Sequence, residues 1–556
     1  MRDNSHTTTT RMLKLCGADI ELGNFVLGLD RAGGTCYEAS RALLRAIDGL
    51  PKPKPSSYSR ASGGWQSAVY GCRRDERDSG WARGGDVQDW GRKFLPGNGG
   101  CVYIDLDHLE LCIPEVTNAW DHVAAWHAML RIARQALTTA NEAQPPGRKI
   151  QVLVNNSDGQ GNSYGSHLNF LVSRRLWDSI FTRKFHMLQY LASFQVSSIV
   201  FTGQGKVGSE NGTPEVPFQL SQRADFFETL LGQQTTFQRP IINSRDEAHC
   251  GSWRSGGTAD AARVHCIFFD NTMAHVPCLL KVGAMQIVLA MLEAGHCRPD
   301  LILDDPVDAV VRISHDPTLK TRVSLASGRQ VTAVELQLLF LEEARRFAAG
   351  EGFEGVVPRA AEILDLWEDT LVKLKAGDLN ALAPRLDWVM KLMILERAMD
   401  SRPGLDWGAS ALKLLDHLYS GLDEDGLYWA YEGSGFADRV VTPEHIQRLV
   451  ENPPSDTRAW TRTMLLRRAE PGTVDSVDWD TVTLRIKGKG YWPSYQTINL
   501  ADPLGFTKAQ MEPVFEQAGT MESVLDAIAG EAVETRPASL REWAGLDSSQ
   551  RRLPAS

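Results

Sequence analysis

Two short segments carry acidic side chains at alternate positions within otherwise apolar strands. The acids are Asp19 and Glu21 in "CGADIELG", and Asp105 and Asp107 in "CVYIDLDHLE". Alternate residues of a strand point to the same face, so each segment would place two carboxylates side by side. Adjacent carboxylates repel unless a cation neutralises them, and Mg²⁺ prefers oxygen ligands and often binds a phosphate as well. With Glu110 and Glu115 close behind, the pattern favours a metal–nucleotide site over two solvent-exposed faces.

A third segment, "NNSDGQGNSYGSH" at 155–167, lies between two apolar runs that are typical of strands, "KIQVLV" and "LNFLV". Its Asn, Asp, Gly, Tyr and His residues fit neither a strand nor a helix. Taken alone, the stretch is either a long polar loop or the wall of a site that holds a polar ligand.

The segment "GQGKVG" at 203–208 matches the G-x-G-x-x-G pattern of dinucleotide-binding folds. That pattern requires a helix whose N-terminus meets the pyrophosphate, and the residues that follow, "SENGTPEVP", cannot begin one. We therefore reject a dinucleotide fold and expect a tight turn at the rim of the site. The sequence also lacks HExxH, GxSxG and GxxxxGK[ST], the signatures of zinc proteases, serine hydrolases and Walker-type NTPases.

Two further segments, "FQLSQRADFFE" and "IINSRDEAH", supply Arg223, Arg245 and His249. Arginine suits phosphate because its planar guanidinium donates two parallel hydrogen bonds. A lone arginine is most often a surface residue, and a lone histidine is most often a core or surface residue. The acidic neighbours in "SRDEAH" instead favour a network of interacting charges.

The composition of the whole chain excludes several classes of protein. A formal charge of −10 over 556 residues argues against nucleic-acid binding, which usually needs a basic surplus. The most apolar run, "CLLKVGAMQIVLAML", contains Lys281 and fits a buried helix, so no membrane span is expected. The first residues lack the apolar core of an export signal, and the nine cysteines form no CxxC pair. We therefore expect reduced thiols and a cytoplasmic protein.

These residues need a framework of strands and helices, an α+β fold. Strands are predicted at "KLCGADIELG", "CVYIDLDHLELCIPE", "KIQVLV", "SSIVFT", "RVHCIFF" and "DTVTLRI", and helices near 38–48, 119–137, 278–294, 335–348, 358–375, 384–400 and after 520. In the second strand, Leu106 should face the core with Val102 and Ile104. The expected domains are a disordered leader at 1–11, a catalytic domain at 12–430 with a mobile insertion at 51–97, a small C-terminal domain at 431–530 and a tail at 531–556.

Taken together, these segments resemble a known family. The chain is similar to the relatives of glutamine synthetase that act on the prokaryotic ubiquitin-like protein Pup, namely the Pup ligase and the Pup deamidase/depupylase. The resemblance covers residues 12–530 and rests on "GADIELG", "NGGCVYIDLDHLELCIPE", "NNSDGQGNSYGSH", "TGQGKVG", "FQLSQRADFFE", "IINSRDEAH" and "ENPPSDTRAW". It implies a glutamine-synthetase-like fold, in which a curved antiparallel sheet backed by helices holds ATP and magnesium and a small C-terminal domain closes over the nucleotide.

The resemblance also implies roles for individual residues. The candidate metal ligands are Asp19, Glu21, Glu110, His167 and His249. Asp105 matches the catalytic Asp, which acts as nucleophile or base toward the scissile amide. The arginines that match residues near phosphate or substrate are Arg223, Arg245, Arg458 and Arg462, and Trp479 would stack on adenine. Two departures from the family pattern concern the metal site: Asp19 stands where the family has Glu, and Leu168 replaces the Glu of a His-Glu-Asn triplet.

The motifs do not all indicate the same branch of the family. The long segment before "NGG", with "DGQG", "SYGSH", "FQLSQR" and "ENPPSDTRAW", is closer to the deamidase, whereas "QRPIINSRDE", "LKVGA" and "DDPVDAVVRISHD" are closer to the ligase. On balance the resemblance implies an ATP- and Mg²⁺-dependent deamidase/depupylase. Its partners would be a Pup-like tag and tagged proteins, with an indirect link to a bacterial proteasome. The alternatives are a ligase that forms the isopeptide bond with ATP hydrolysis, a catalytically weak regulator, and a small-molecule carboxylate-amine ligase.

Overall fold

The computed structural model describes residues 11–29, 35–47, 90–246, 260–486 and 494–534. The strands are, in chain order, β1 (Cys16–Glu21), β2 (Gly23–Leu27), β3 (Trp90–Phe94), β4 (Cys101–Asp105), β5 (His108–Cys112), β6 (Lys149–Leu153), β7 (Ser166–Ser173), β8 (Lys206–Val207), β9 (Phe218–Gln219), β10 (Thr229–Gly232), β11 (Pro240–Asn243), β12 (Ala261–Cys266), β13 (Arg322–Ser324), β14 (Gln330–Thr332), β15 (Val474–Val477), β16 (Thr481–Ile486) and β17 (Ser494–Asn499).

The helices surround these strands. They are α1 (Thr35–Ala46), α2 (Ala119–Glu142), α3 (Arg174–Asp178), α4 (Phe185–Thr202), α5 (His275–Glu293), α6 (Pro306–Ser314), α7 (Ala333–Ala349), α8 (Ala360–Ala376), α9 (Leu379–Leu382), α10 (Asp387–Ser401), α11 (Ser410–Tyr419), α12 (Leu427–Gly433), α13 (Pro443–Glu451), α14 (Ala459–Arg468), α15 (Lys508–Gln517) and α16 (Met521–Glu534).

Six strands form the main sheet, in the order β12-β7-β1-β5-β4-β3, and every neighbouring pair is antiparallel. One face of β1 is buried and the other is partly open, because apolar and acidic residues alternate along it. Helices α2 and α5 contact strands of the main sheet and α4 packs against α5, and most residues of these three helices lie in the main apolar core. An antiparallel sheet backed by helices was the predicted architecture, and it is confirmed.

The predicted strand "SSIVFT" is wrong, because these residues form the last part of α4. This helix is buried on all sides from Met187 onward apart from Gln189. A helix without a solvent face shows no 3.6-residue alternation of polar and apolar residues, so its sequence resembles that of a buried strand.

A smaller apolar core lies at one end of the main sheet. It contains Phe94, Cys101 and Cys112 from β3, β4 and β5, together with residues between Trp460 and Ile528. The three-stranded sheet β15-β16-β17 and the helices α14, α15 and α16 contribute to it. The C-terminal unit therefore packs on the open face of the main sheet.

The predicted domain boundaries stay predictions, with one correction. The main core draws on residues up to Leu449, and the C-terminal residues of the second core begin at Trp460. The leader up to residue 10, residues 48–89 of the insertion and the tail from 535 lie outside the described residues. The predicted insertion ran to residue 97, but β3 pairs with β4 in the main sheet, so its last part belongs to the fold.

Within the described residues, α5 is the one helix whose length and apolarity would suffice to cross a membrane, and its most apolar window is entirely buried in the protein. Lys281 in this helix is 1% exposed, and its Nζ lies 3.9 Å from the ring centroid of Trp126. The helix is therefore a core helix, as its sequence predicted. Each cysteine in the described residues is a free thiol.

Candidate active site

The central strands bring the predicted acidic residues together on the open face of the sheet. Asp19 and Glu21 point to this face from β1, as their alternation predicted. In the neighbouring strands Glu110 pairs with Glu21, and His167 pairs with Asp19. Residues far apart in the sequence thus come together because β5 and β7 pair with β1 on either side.

Two overlapping groups of side chains have the geometry to hold cations. Ligand atoms of Asp19, Glu110 and His167 lie within 4.8 Å of one another, and so do those of Glu21, Asp105 and Glu110. Glu110 belongs to both groups. The structure therefore brings the predicted catalytic Asp to the predicted metal ligands.

The crowding of acids has its largest effect at Glu110. Burial raises the pKa of this carboxyl well above its usual range, and the charges of Asp19, Glu21 and Asp105 raise it further. Tyr103 opposes this shift by donating a hydrogen bond to Glu110 Oε1 at 2.7 Å. A bound divalent cation would relieve the repulsion among these carboxylates.

His167 adds a nitrogen to the ligand set, with its Nε2 3.7 Å from Glu21 Oε1. Burial lowers the pKa of His167, and this effect exceeds the opposing influence of Glu21 and Asp19. A neutral imidazole is the form that binds a metal. For Glu21, burial raises the pKa, but His167 and the N–H of Gly165 outweigh it and the net pKa is lowered.

The polar stretch at 155–167 forms a wall of this site. Gly165 N donates to Glu21 Oε2 at 2.5 Å, and Gly165 O accepts from Glu21 N at 3.1 Å. A Cβ at Gly165 would lie only 2.5 Å from His167 Nε2, so glycine lets the wall approach the imidazole. Of the two interpretations of this stretch, the wall of a polar site is the one that its position supports.

Asn155 and Asn156 hold this wall in place through hydrogen bonds to Tyr164. Asn155 Oδ1 accepts from the Tyr164 hydroxyl at 2.5 Å, and Asn156 Nδ2 donates to Tyr164 O at 2.9 Å. The Tyr164 ring stacks on His108, with 4.3 Å between the ring centroids. Because His108 pairs with Asp105 across the β4–β5 hairpin, the wall and the hairpin are in direct contact.

Asp105 is the last residue of β4, and the hairpin turn to β5 follows it directly. The prediction that Leu106 faces the core and Asp107 shares a strand face with Asp105 is wrong. Leu106 and Asp107 form the turn with φ of 44° and 73°, and Leu106 is 42% exposed. The alternation of acidic and apolar residues continues past the end of the strand, and the turn has none of the Asn-Gly chemistry that marks such hairpins.

Two buried arginines lie behind the wall. Arg223 Nη1 donates to Tyr164 O at 2.6 Å, and Arg239 Nη2 donates to Ser163 O at 2.8 Å. Arg223 Nε is buried and has no hydrogen-bond partner among the described residues. Arg223 is also among the charges that lower the pKa of Glu21 against the effect of burial. Its predicted place beside the site fits this geometry, whereas Arg239 was not predicted.

The segment that follows β11 carries the next two predicted residues. Arg245 is half-buried and donates from Nε to Gln233 O at 2.9 Å. Its charge adds to the effect of burial in lowering the pKa of His167. His249 lies outside the described residues, so its role as a ligand stays a prediction.

Arg458 and Arg462 bind a carboxylate outside the acid cluster. Both are buried on the carboxylate of Glu115, with Arg458 Nε 2.8 Å from Oε1 and Arg462 Nη2 2.7 Å from Oε2. Further hydrogen bonds from the two guanidinium groups go to main-chain carbonyl oxygens of residues 99, 479, 500 and 501. These arginines anchor the C-terminal unit to the main sheet, and Glu115 binds them and is not part of the acid cluster. Their predicted contact with phosphate or substrate stays a prediction.

Trp479 lies next to this ion-pair group and is half-buried. The Arg462 guanidinium lies 5.0 Å from a Trp479 ring centroid, and the Phe94 ring packs edge-on at 5.2 Å. The indole therefore lies where the C-terminal unit meets β3. Its stacking on adenine stays a prediction.

Several polar residues of the open face were not predicted. Asn169 Nδ2 donates to Asp19 Oδ2 at 3.3 Å, and Arg263 Nη1 donates to Asn169 Oδ1 at 2.6 Å. His265 Nδ1 lies 3.1 Å from the same oxygen. Strand alternation could have found them, since Asn169 follows His167 by two residues and the β12 pair is also two residues apart.

The sequence matches the family model described as Pup-ligase protein over residues 30–483, which is more than half of the chain. The chain belongs to this family. A depupylase from Acidothermus cellulolyticus is 36% identical over 434 residues, covering 78% of this chain and 82% of that protein. A Pup deamidase/depupylase from Mycolicibacterium smegmatis is 35% identical over 435 residues, with the same coverage. A Pup–protein ligase from Acidimicrobium ferrooxidans is 36% identical over 427 residues, covering 75% of this chain and 88% of that protein.

Solved structures of Pup ligases share the fold. A Pup ligase in complex with ADP has a TM-score of 0.66 and 28% identity, covering 80% of this chain and 90% of that chain. A ligase in complex with Pup has a TM-score of 0.71 at 24% identity and covers 98% of both chains. The predicted α+β, glutamine-synthetase-like fold with a curved sheet and a small C-terminal domain is therefore confirmed.

The structure explains one of the two departures from the pattern of this Pup-ligase family. Leu168 is fully buried in the main core, and its neighbours His167 and Asn169 point to the open face. A side chain at position 168 faces the helices and not the acid cluster. Leucine here therefore removes no ligand from the open face.

The donor set fits a magnesium ion, since the two groups offer four carboxylates and an imidazole that lie close together. We expect Mg²⁺ at a hundredfold excess over its Kd to raise the free energy of unfolding by roughly 3 kcal/mol. Glu110→Gln should abolish this gain because Glu110 belongs to both groups of ligand atoms. Thermal unfolding with and without Mg²⁺ measures the effect.

The matched control for this experiment is Glu424→Gln, which changes an exposed acid outside the cluster and should keep the full gain. Without Mg²⁺, Glu110→Gln should be at least as stable as the wild type, because burial and the neighbouring acids already disfavour the charged form of Glu110. An equal Mg²⁺ response of Glu110→Gln and the wild type would show that the cation binds elsewhere.

Proposed function

We propose that this protein hydrolyses amide bonds at the C-terminus of a Pup-like protein tag. The bonds are the side-chain amide of a terminal Gln and the isopeptide bond between a terminal Glu and a lysine of the target. The observation that carries the proposal is the position of the Asp105 carboxylate, which shares a group of ligand atoms with Glu21 and Glu110. A carboxylate beside a cation site can act on a carbonyl that the cation polarises.

Each residue of the proposed site has a separate role. Asp105 acts on the amide carbonyl as nucleophile or as base for water. The buried guanidinium of Arg223 supplies fixed positive charge behind the wall, near Glu21. The ligands for Mg²⁺ would be Asp19, Glu21, Glu110 and His167. When bound, Mg²⁺ would supply positive charge for the developing oxyanion.

We also propose that a nucleotide binds on the open face of the sheet. A related Pup ligase has been solved with ADP, at 28% identity over 80% of this chain. Arg245 and Trp479 are the predicted contacts that are at least partly accessible. The charge of Arg245 acts on His167, and Trp479 packs against Phe94 of β3. In the proposed branch ATP is a bound cofactor and is not consumed in each turnover.

Two observations favour the deamidase/depupylase branch. Relatives named depupylase and Pup deamidase/depupylase are 36% and 35% identical over 78% of this chain. The long segment before "NGG" and the motifs "DGQG", "SYGSH" and "FQLSQR" also resemble that branch.

The second candidate is a Pup-like protein ligase that forms the isopeptide bond and hydrolyses ATP. A Pup–protein ligase is also 36% identical, over 75% of this chain, so sequence identity alone does not separate the two reactions. The consumption of ATP does separate them, since a ligase must form one ADP for each conjugate.

The proposal extends to the setting of the enzyme. Its partners would be a Pup-like tag and tagged proteins, and it would connect indirectly to a bacterial proteasome that degrades them. The composition and the free cysteines agree with a cytoplasmic location.

A direct assay tests the reaction. The protein is incubated with ATP, Mg²⁺ and either a tag that ends in Gln or a tag joined to a target lysine. We expect release of ammonia or of free tag, with far less ADP than product. ADP formed in a one-to-one ratio with new conjugate would instead identify a ligase, and nucleotide binding without turnover on any tag would identify a regulator.

A further inference from the structure

The turn after Asp105 has a conformation that leucine seldom adopts. Leu106 and Asp107 both lie at positive φ, where glycine and asparagine are favoured and larger side chains are disfavoured. A residue held in a disfavoured conformation beside a site points to a role for its side chain. The leucine at this strained position directly follows Asp105, so its side chain is a candidate for a functional contact.

Helix α1 and strand β2 hold the backbone of this turn. Ser40 Oγ donates to Asp107 O at 2.5 Å, and Asn24 Nδ2 donates to Ser40 Oγ at 2.7 Å. Asn24 Oδ1 in turn accepts from Leu109 N at 3.0 Å, just after the turn. These bonds set the path of the hairpin through main-chain atoms, so they do not depend on the side chain at position 106.

The side chain of Leu106 lies at the outer end of the hairpin. Leu106 is 42% exposed, whereas Leu109 on the same hairpin is fully buried. A tagged target is a protein too large to enter the site, so its lysine must reach Asp105 from the solvent. The lysine side chain would cross this rim as a chain of methylene groups, and an exposed leucine offers an apolar contact for them.

We infer that Leu106 packs against the aliphatic arm of the target lysine and favours isopeptide cleavage over deamidation. The inference rests on the proposed function. In isopeptide cleavage the oxygen of water bonds to the tag's carbonyl carbon, the C–N bond breaks, and the lysine amine leaves with a proton from water. Deamidation makes the same bond changes but releases ammonia, which has no aliphatic arm to contact.

The test compares kcat/KM for two substrates of the full-length protein with ATP and Mg²⁺: a tag that ends in Gln, and a tag joined to a target protein. Leu106→Gly should lower the ratio of isopeptide cleavage to deamidation about tenfold, the effect of losing an apolar contact. The melting temperature should not fall, because glycine is favoured at this φ. Leu106→Asn, which also tolerates positive φ, should lower the ratio to a similar extent.

Leu319→Gly is the matched control, since Leu319 also has a positive φ, 61°, but lies between α6 and β13. It should keep the wild-type ratio. A wild-type ratio in both Leu106 variants would overturn the inference, including the case in which the two rates fall equally. A wild-type protein that releases neither ammonia nor free tag would overturn the proposed function, and the inference with it.

Discussion

Asp105→Asn should lower turnover about a thousandfold or more, both on a tag that ends in Gln and on a tag joined to lysine. A carboxylate oxygen of Asp105 lies within 4.8 Å of carboxylate oxygens of Glu21 and Glu110. Asparagine has nearly the same shape but carries no charge, so it can act neither as nucleophile nor as base. The loss should appear in kcat, while the affinity for the tag changes little.

Single-turnover release of ammonia and of free tag measures this effect, and calorimetric titration of ATP checks that the nucleotide still binds. The matched control is Asp107→Asn, the same substitution two residues further along the hairpin. Asp107 is exposed, and asparagine tolerates its positive φ, so turnover should remain close to the wild type. Full activity in Asp105→Asn would remove Asp105 from the mechanism.

Glu115→Gln should lower the free energy of unfolding by about 3 to 5 kcal/mol. The carboxylate of Glu115 binds two guanidinium groups, those of Arg458 and Arg462, and all three side chains are buried. Removing its charge leaves two buried cations without a counter-ion. Because the arginines belong to the C-terminal unit and Glu115 follows β5, we expect the C-terminal unit to detach first.

Urea unfolding of the wild type and the variant measures this loss. The control is Glu362→Gln, which breaks the exposed ion pair with Arg359 and should cost about 1 kcal/mol or less. Equal losses in the two variants would mean that the buried ion pairs contribute no more than a surface pair.

The Glu115 carboxyl should also make the free energy of unfolding fall as the pH is lowered. Burial raises the pKa of Glu115, but Arg462 and Arg458 outweigh it and lower the pKa from 4.5 to about 2. A lowered carboxyl pKa contributes stability above the unfolded-state value and loses it as the pH falls through the folded-state value. The wild type should therefore lose stability from pH 4.5 down to about 2, and Glu115→Gln should lack this part of the loss.

Strand alternation was sufficient to predict part of the site. Asp19 and Glu21 share a face because side chains alternate along any strand, and no knowledge of neighbouring strands is needed. Their meeting with Glu110 and His167 depends on the register of three strands, which the sequence does not state. The family resemblance supplied that information.

Other features of the structure could not be predicted from local sequence. Helix α4 is buried on nearly all sides, so its sequence lacks the polar face that would mark it as a helix. The turn at Leu106 and Asp107 is held by bonds to α1 and not by turn residues of its own. The ion pair between Arg458 and Glu115 joins residues 343 positions apart in the chain, so no local pattern could indicate it.

That separation has a consequence for synthesis on the ribosome. At about 5 to 20 residues per second, some 340 residues of elongation take roughly 20 seconds to a minute. Throughout that interval Glu115 has no cationic partner, and the apolar residues Phe94, Cys101 and Cys112 have no C-terminal unit to pack against. The nascent chain thus presents an uncovered apolar strand surface, which is the kind of surface that chaperones bind and that aggregates when they do not.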